Sequence, residues 1–434
     1  MTKTSRRARI RKLDAKVVKA ARRVRLLRSL HWPEDAEARF LASVRSGSPK
    51  APGVVLAPPG SLPDDAELAS LAGRFDRADP VQDWLGRTLD NIRQTVALLE
   101  SIGTVGFVAR SLALFGLPDD PVHPGAPSAL SSARHFLRTT QRLKVTPARA
   151  EITDAEAAEW MTAQVQEHFP VDPPRVELDP HLVSIASAGS TRIRLRQGAY
   201  FSLVQLRQLL HHEALVHVAT RRNGKAQPVL TSLGLSLPRT TATQEGLASL
   251  AELVSDTMDL HRLRRIALRV VAVHDALQGA SFIDIWNSFR EAGESEPEAF
   301  HSARRIFRGG DGTAGGGIFA KDAVYVGGLM RVQGFCLTAI RDGRKELPLR
   351  LFSGRLTPGD VLDLDEAFVD GTIALPAVAP QWVQALDCLA AFLTVSGLVT
   401  RIDLDAVELE AFSDRRSADP SLWGSLHRPG SPRA

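Results

Sequence analysis

The sequence lacks most features of secreted and membrane-spanning proteins. Two cysteines in 434 residues, Cys336 and Cys388, cannot form a disulfide framework. Both stand in apolar, helix-like contexts, which predicts buried free thiols and a reducing compartment. No run of 18 or more apolar residues occurs, so no transmembrane helix is predicted. The basic N-terminus is not followed by an apolar segment with a cleavage site, which argues against a secretory signal and favours the cytoplasm.

Positive charge is concentrated at the N-terminus. Residues 1–30 contain 12 Lys and Arg and one Asp, a net charge of +11, whereas the whole chain carries +5 and the remainder therefore −6. Apolar residues recur there at helical spacing, which predicts an amphipathic basic helix: Ile10, Leu13, Val17, Val24 and Leu27. The helix either packs its apolar stripe on the body or docks an acidic partner, such as nucleic acid or an acidic polypeptide. No nucleic-acid-binding module is recognised, so a nucleic-acid function ranks last.

Loops rich in proline and glycine divide the remaining chain. The predicted organisation is a basic N-terminal helical segment (1–46), a helical subdomain (64–170), a catalytic domain (171–412) and a disordered tail (413–434). Helical periodicity predicts two helices in 79–115 broken near Gly103, and others around 132–168, 293–307, 322–342, 359–369 and 380–397.

A different pattern precedes the histidine-rich segment. Short alternating runs in 175–198 predict two or three strands, followed directly by a helix that Asn223 and Gly224 should end. Thr241 and Gln244 fit a capping box, which predicts another helix from about Ala242. The fold class is therefore α+β, mostly helical, with a small sheet directly before the histidine helix.

That helix contains "HHEALVH", in which His212 and His217 are five residues apart. In an α-helix, residues i and i+4 lie about 40° apart, but residues i and i+5 differ by about 140° and face apart. A π-type turn would return both histidines to one face, and so would an early helix end that let His217 swing in. A helix with a few partly buried histidines is the alternative. Glu213, beside His212, and Glu245, 28 residues beyond His217, favour a metal site, since they add a water-activating carboxylate and a third ligand.

Three motifs together resemble the QEGLA-motif family, whose bacterial members are labelled flavohemoglobin expression-modulating QEGLA motif proteins. The motifs are "HHEALVH", "TQEGLASLAEL" and "RIFRGGDGTAGGGIFAKDAVYVGGLMRV", in that order. Eukaryotic relatives include the microtubule-associated tyrosine carboxypeptidases, which remove the C-terminal tyrosine of α-tubulin. The resemblance implies a zincin-like fold, Zn²⁺ bound by His212, His217 and Glu245, and Glu213 as general base. Ala-Leu-Val stands where the family often has Ile-Gly-Thr, a change that affects packing rather than ligation.

The glycine-dense segment 307–322 does not fit a phosphate-binding loop, because it lacks the Lys-Ser/Thr pair and follows a predicted helix. Gly309, Gly310 and Gly315–Gly317 are candidates for close approach to a substrate or for tight turns, and a mobile structural loop is the alternative. Arg308 and Lys321 are candidates to bind a peptide's C-terminal carboxylate, or else form surface or interior ion pairs, for instance with Asp311 or Asp322.

Two further side chains are candidates for supporting roles. Tyr325 could donate a hydrogen bond to the oxyanion of a tetrahedral intermediate, or could be an ordinary packed aromatic residue. Glu252, seven residues after Glu245, could orient a ligand histidine or form a surface salt bridge.

These observations predict a zinc metallopeptidase of carboxypeptidase type, with a peptide or protein C-terminus as substrate. A zinc-binding regulatory protein without turnover is the alternative.

Overall fold

A computed structural model describes residues 3–399, except positions 145, 147, 181, 183 and 311–315. Contacts between residues group Met1–Leu386 into one compact unit and Asp387–Ala434 into a second. The predicted tail, 413–434, lies outside the described residues. The other predicted domain boundaries stay predictions.

Eight helices precede the sheet in the described residues: α1 (Lys3–Ala21), α2 (Leu26–Ser29), α3 (Ala36–Arg45), α4 (Asp65–Ala72), α5 (Pro80–Glu100), α6 (Gly106–Phe115), α7 (Ala129–Thr140) and α8 (Asp154–His168). The predicted break near Gly103 is confirmed, since α5 and α6 are separated there and Gly103 has a φ of +75°. Helices α7 and α8 confirm the helical prediction for 132–168.

The basic helix α1 packs on the body of the protein. Ile10, Leu13 and Val17 are buried, which confirms the apolar stripe. Asp14, between them, accepts hydrogen bonds from the backbone N–H groups of Thr231 and Ser232, at 2.9 and 3.1 Å. The stripe does not extend to Leu27, which is exposed because α1 ends at Ala21.

The sheet has three strands, β1 (Arg175–Asp179), β2 (Ala186–Ala188) and β3 (Arg192–Arg196), in the order β1-β3-β2. Strand β1 runs parallel to β3, and β2 runs antiparallel to it. Ile193 and Leu195 are buried and alternate with arginines, as expected of a strand with one face on the core. The predicted sheet before the histidine helix is thus confirmed, and the class is α+β with mostly helices.

Helices occupy most of the described chain after β3. The segment that follows the sheet consists of α9 (Leu203–Leu209), a π-helix (Leu210–Val218), α10 (Ala219–Lys225), a 3₁₀ turn (Thr231–Gly234), α11 (Pro238–Val254) and α12 (Leu260–Leu277). Next come α13 (Phe282–Glu291), α14 (Glu296–Ile306), a 3₁₀ turn (Ala320–Ala323) and α15 (Val324–Arg341). The last elements are α16 (Glu346–Arg350), a 3₁₀ turn (Leu351–Ser353), α17 (Pro358–Asp363), α18 (Asp365–Val369), α19 (Gln381–Gln384) and α20 (Leu386–Val399).

Helices α14 and α15 confirm the predictions for 293–307 and 322–342. The helices predicted at 359–369 and 380–397 are each divided in two, as α17 with α18 and α19 with α20. Helix α13 was missed, although Ser281 and Asp284 form a capping box at its start.

Asn223 and Gly224 do not end the histidine helix, so that prediction was wrong. Helix α10 continues through both to Lys225. The Asn223 amide donates to the backbone carbonyls of Phe352 and Val378, at 2.8 and 2.7 Å. A Cβ on Gly224 would lie 2.3 Å from the Leu233 carbonyl. Both residues therefore serve tertiary packing inside the helix rather than its termination.

The predicted start of α11 near Ala242 was also wrong. The helix begins at Pro238, whose ring favours the first helical position. Gln244 does not cap it, because its Oε1 accepts a hydrogen bond from the Thr220 hydroxyl at 2.8 Å. Glu245 consequently lies roughly two turns into α11 rather than in its first turn.

Two glycines bring α11 and α15 into close contact. A Cβ on Gly246 would lie 2.2 Å from the Gly328 carbonyl oxygen, and a Cβ on Gly328 would lie 2.2 Å from the Ala242 carbonyl oxygen. Any side chain at either position would force the two backbones apart. The glycine of the QEGLA motif therefore sets the depth at which α11, and with it Glu245, enters the core.

Among the described helices, Ala320–Arg341 has the length and apolar composition of a membrane span. Its close packing on α11 through Gly328 is what a core helix of a globular protein shows.

The predicted burial of the cysteines is confirmed for one of the two: Cys336 is buried, but Cys388 is exposed. Leu386 and Leu389 form the buried face of α20, and Cys388 falls on the other face.

Candidate metal centre

The predicted distortion of the histidine helix is confirmed, as a π-helix over Leu210–Val218. Its wider turn, with hydrogen bonds from i to i+5, returns residues five apart to the same face. The rings of His212 and His217 therefore meet, with centroids 4.8 Å apart and planes at 89°. The extra residue in the motif is accommodated by the backbone, and the helix does not end early.

Helix α11 brings Glu245 to the two histidines. Its Oε2 lies 3.7 Å from His212 Nε2 and 3.8 Å from His217 Nε2. One ligand atom from each of the three residues lies within 4.8 Å of the others. Glu245 and His212 are buried, and His217 is nearly so.

This donor set fits a zinc ion. Ligand atoms around tetrahedral zinc lie about 2.0–2.2 Å from the ion and hence roughly 3.3–3.6 Å from one another. The separations of 3.7 and 3.8 Å between Glu245 and the two histidines exceed that range by a few tenths of an ångström, and the full spread of the three ligand atoms, up to 4.8 Å, would have to narrow by about 1 Å around one ion. Two imidazoles and one carboxylate are also the ligands of a known type of catalytic zinc site.

Glu252 fixes the orientation of His212. The two residues are joined by a hydrogen bond of 2.5 Å between His212 Nδ1 and Glu252 Oε1. Because a carboxylate only accepts, Nδ1 carries a proton, and in the neutral ring the lone pair is then on Nε2, the atom that faces Glu245. Burial opposes protonation of His212, but the bond with Glu252 outweighs it and raises the pKa of the imidazole. Glu252 is fully buried, so the alternative of a surface salt bridge was wrong.

Arg262, which the sequence analysis did not identify, anchors Glu252 in turn. Its Nε and Nη2 donate to the two carboxylate oxygens of Glu252 at 2.6 and 2.7 Å. Gln208 Nε2 donates to the same carboxylate at 3.0 Å. Burial alone would raise the pKa of Glu252, but the charge of Arg262 lowers it to about 2.

Burial is the main cause of the pKa shifts of His217 and Glu213. Among the described residues, Nδ1 of His217 is buried and has no hydrogen-bond partner. Burial, with the neighbouring His212, lowers the pKa of His217 to about 3, so the ring is neutral as a metal ligand must be. Burial raises the pKa of Glu213, and the nearby Glu245 adds to this effect.

Lys321 forms an interior ion pair, as the alternative to carboxylate binding predicted, but its partner is Glu245 rather than Asp322; Asp311 lies outside the described residues. Lys321 Nζ lies 2.9 Å from Oε1 of Glu245, while Oε2 of the same carboxylate faces the histidines. Burial would raise the pKa of Glu245, but Lys321 and the histidines hold it far below its usual range. Glu245 is therefore ionised, with one oxygen directed at the cluster.

Tyr325 lies next to this cluster. Its hydroxyl accepts a hydrogen bond from Arg305 Nη2 at 3.1 Å, and Lys321 Nζ lies 5.2 Å from its ring centroid. Arg305 also binds Asp322 through two hydrogen bonds of 2.6 and 2.8 Å. Arg305 was not identified from sequence, although it stands in the same motif as Arg308.

Residues 307–310, at the start of the glycine segment, make a tight turn, in which the Gly310 N–H donates to the Phe307 carbonyl at 3.1 Å. Gly309 N–H donates to the Gly317 carbonyl at 2.9 Å. A Cβ on Gly309 would lie 1.9 Å from the Phe107 ring, and one on Gly310 would lie 2.9 Å from Gly317 Cα. Packing accounts for both glycines, which matches the tight-turn alternative, and their assignment to substrate binding stays a prediction.

Comparison with known proteins adds a family. The model for a family described as "Microtubule-associated tyrosine carboxypeptidase" matches residues 39–401, well over half of the chain. No curated protein matches the chain. The matched range includes the π-helix, Glu245 on α11 and the Arg308–Tyr325 segment. The chain therefore belongs to the microtubule-associated tyrosine carboxypeptidase family, which indicates carboxypeptidase-like activity.

Proposed function

We propose that the protein is a zinc-dependent, zincin-like carboxypeptidase that hydrolyses the C-terminal peptide bond of a peptide or protein. The observation that supports this best is the convergence of His212, His217 and Glu245, with Glu213 beside them on the π-helix. A peptide that ends in tyrosine is the first substrate to test, in view of the family description.

His212 and His217 would hold the ion through their Nε2 atoms, and Glu245 through Oε2. Zinc, when bound, would supply a Lewis acid that polarises the scissile carbonyl and makes a water more acidic. Glu252 and Arg262 keep His212 in the tautomer that ligation needs. Lys321 holds the other oxygen of Glu245, so this carboxylate would present one oxygen to the ion.

Glu213 is the proposed general base. It would accept the proton of the attacking water at its carboxylate and later deliver it to the leaving amine. Burial raises the pKa of Glu213, which brings it closer to the value that favours proton exchange near neutral pH.

Tyr325 and Arg308 would contact the substrate. The Tyr325 hydroxyl accepts from Arg305, which leaves its own proton free to be donated to the developing oxyanion. Arg308, from the family's third motif, would bind the C-terminal carboxylate. Lys321 was a second candidate for that carboxylate, but its ion pair with Glu245 favours the role of positioning a ligand.

The ligand set is tested by metal analysis of purified protein together with release of the terminal residue from a peptide library. The wild-type protein should contain one zinc per chain and release C-terminal residues. His212→Ala should lose stoichiometric zinc, whereas the control His211→Ala, which changes the adjacent histidine outside the cluster, should keep it. Unchanged zinc in His212→Ala would refute the ligand set. Bound zinc with no peptide cleaved would favour the alternative, a metal-binding regulatory protein.

A further inference from the structure

Among the described residues around Asp322, next to the candidate metal centre, positively charged side chains compete for the same carboxylate. Arg305 binds Asp322 through both carboxylate oxygens, and Lys321 binds Glu245. Each of these two carboxylates is thus bound by a cation, yet Arg269 and Arg308 also interact electrostatically with Asp322.

In the described part of the chain, Arg269, on α12, has one long ion-pair contact for its positive charge. Its contact with Asp322 is 4.0 Å long, to the oxygen that Arg305 already binds at 2.6 Å. Among the described residues, Nε of Arg269 is buried and makes no hydrogen bond. The side chain as a whole nevertheless keeps 15% of its surface accessible.

Arg308 shares this environment. Arg305, Asp322 and Tyr325 interact electrostatically with both Arg269 and Arg308. Burial, with the adjacent charge of Arg305, lowers the pKa of each of the two guanidinium groups to about 10. A crowded positive charge of this kind is costly inside a protein unless an anion neutralises it.

Arg269 is connected with the metal ligands through Arg305, because both arginines approach the same oxygen of Asp322, at 4.0 and 2.6 Å. Arg305 donates to the Tyr325 hydroxyl at 3.1 Å, and Lys321 contacts both the Tyr325 ring and Glu245. A peptide with its scissile bond at the metal centre would therefore extend its last residue toward Arg269 and Arg308. A guanidinium group matches a carboxylate in shape and can bind it through two hydrogen bonds.

We propose that Arg269 is a specificity-determining residue, which together with Arg308 binds the free α-carboxylate of the substrate and restricts cleavage to the last peptide bond. This inference rests on the proposed function, because it assigns the carboxylate subsite of that same site. It replaces Lys321, which is held by Glu245, with an arginine from a helix that none of the sequence motifs includes.

Binding without turnover tests the subsite directly. In a Glu213→Gln chain, calorimetry should compare N-acetyl-Phe-Tyr with the same dipeptide as its C-terminal amide. The free acid should bind about 10- to 100-fold more tightly, the range expected for charge-assisted hydrogen bonds. Adding Arg269→Gln should reduce this preference to less than about 3-fold, and Arg269→Lys, which keeps the charge but loses the bidentate geometry, should retain part of it.

The matched control is Arg264→Gln on the same helix. Arg264 points elsewhere, since it donates to the Leu143 carbonyl at 2.9 Å, so this variant should keep the full preference for the free acid. An unchanged preference in Arg269→Gln would overturn the proposal. So would equal binding of acid and amide to the Glu213→Gln parent, including no binding of either. A failure of the proposed function would look different from a failure of this inference. Wild-type protein would then cleave no peptide, while the Glu213→Gln chain would still bind the free acid more tightly than the amide.

Discussion

Adding one methyl group between α11 and α15 should destabilise the protein, whereas the same change one residue away should not. The two positions are adjacent glycines on α15. A Cβ on Gly328 would lie 2.2 Å from the Ala242 carbonyl oxygen. A Cβ on Gly327 would meet only the Ala129 side chain, at 3.4 Å, and Val122, at 3.7 Å, which are ordinary van der Waals contacts.

The expected magnitudes follow from two opposing effects. Replacing glycine by alanine inside a helix contributes up to about 1 kcal/mol of stability, which applies at both positions. At Gly328 the contact is roughly 1 Å too short, so the helices must separate, and overpacking of this kind costs about 1–3 kcal/mol. Gly327→Ala should therefore raise the free energy of unfolding by up to about 1 kcal/mol, and Gly328→Ala should lower it by up to about 2 kcal/mol.

Urea denaturation of the two variants and the wild type, all without metal, measures this difference. Metal must be removed because a ligand bound to the folded state would raise apparent stability. After zinc is restored, Gly328→Ala should also bind it more weakly, since Glu245 moves with α11. Equal midpoints for the two variants would refute the argument that close backbone contact sets the position of α11.

Three further outcomes are expected. Glu252→Gln should weaken zinc binding by about 10- to 100-fold in chelator competition, because the group that orients His212 and binds Arg262 loses its negative charge; unchanged affinity would contradict that role. Asp322→Asn should lower the free energy of unfolding at neutral pH. Burial would raise the pKa of Asp322, but Arg305 outweighs it and lowers that pKa in the folded protein. The difference in stability between wild type and Asp322→Asn should therefore be full above about pH 4 and shrink as the pH falls below it. A pH-independent difference in urea titrations would contradict the ion pair. Asn223→Ala should cost about 2–4 kcal/mol in the same assay, since two buried carbonyls lose their donor; a loss below about 0.5 kcal/mol would show that those carbonyls are satisfied otherwise.

Local geometry allowed much of the site to be predicted from sequence. Five-residue spacing on a regular helix would separate His212 from His217, so the motif required a distorted helix, and the π-helix provides it. The place of Glu245 followed from the family resemblance. Its position within α11 was predicted wrongly because Pro238 starts the helix earlier than the apparent capping box indicated.

Long-range ion pairs could not be predicted in the same way. Lys321 and Glu245 are 76 residues apart, and neither the charge nor the spacing of Lys321 indicates which carboxylate it will meet. Arg262 and Arg269 belong to a helix with no recognised motif, and only the fold places them beside Glu252 and Asp322. Tertiary contacts likewise explain why Asn223 lies inside a helix rather than at its end.

The account is tested most directly by the rate at which purified protein releases the C-terminal residue from a tyrosine-ended peptide, for wild type and Glu213→Gln at equal zinc content. Wild-type protein with one zinc per chain should release tyrosine, and its activity should disappear with a chelator and return with zinc. Glu213→Gln should bind the same amount of zinc and release none above background. Full turnover by Glu213→Gln, or turnover by wild type without bound metal, would contradict the proposed mechanism.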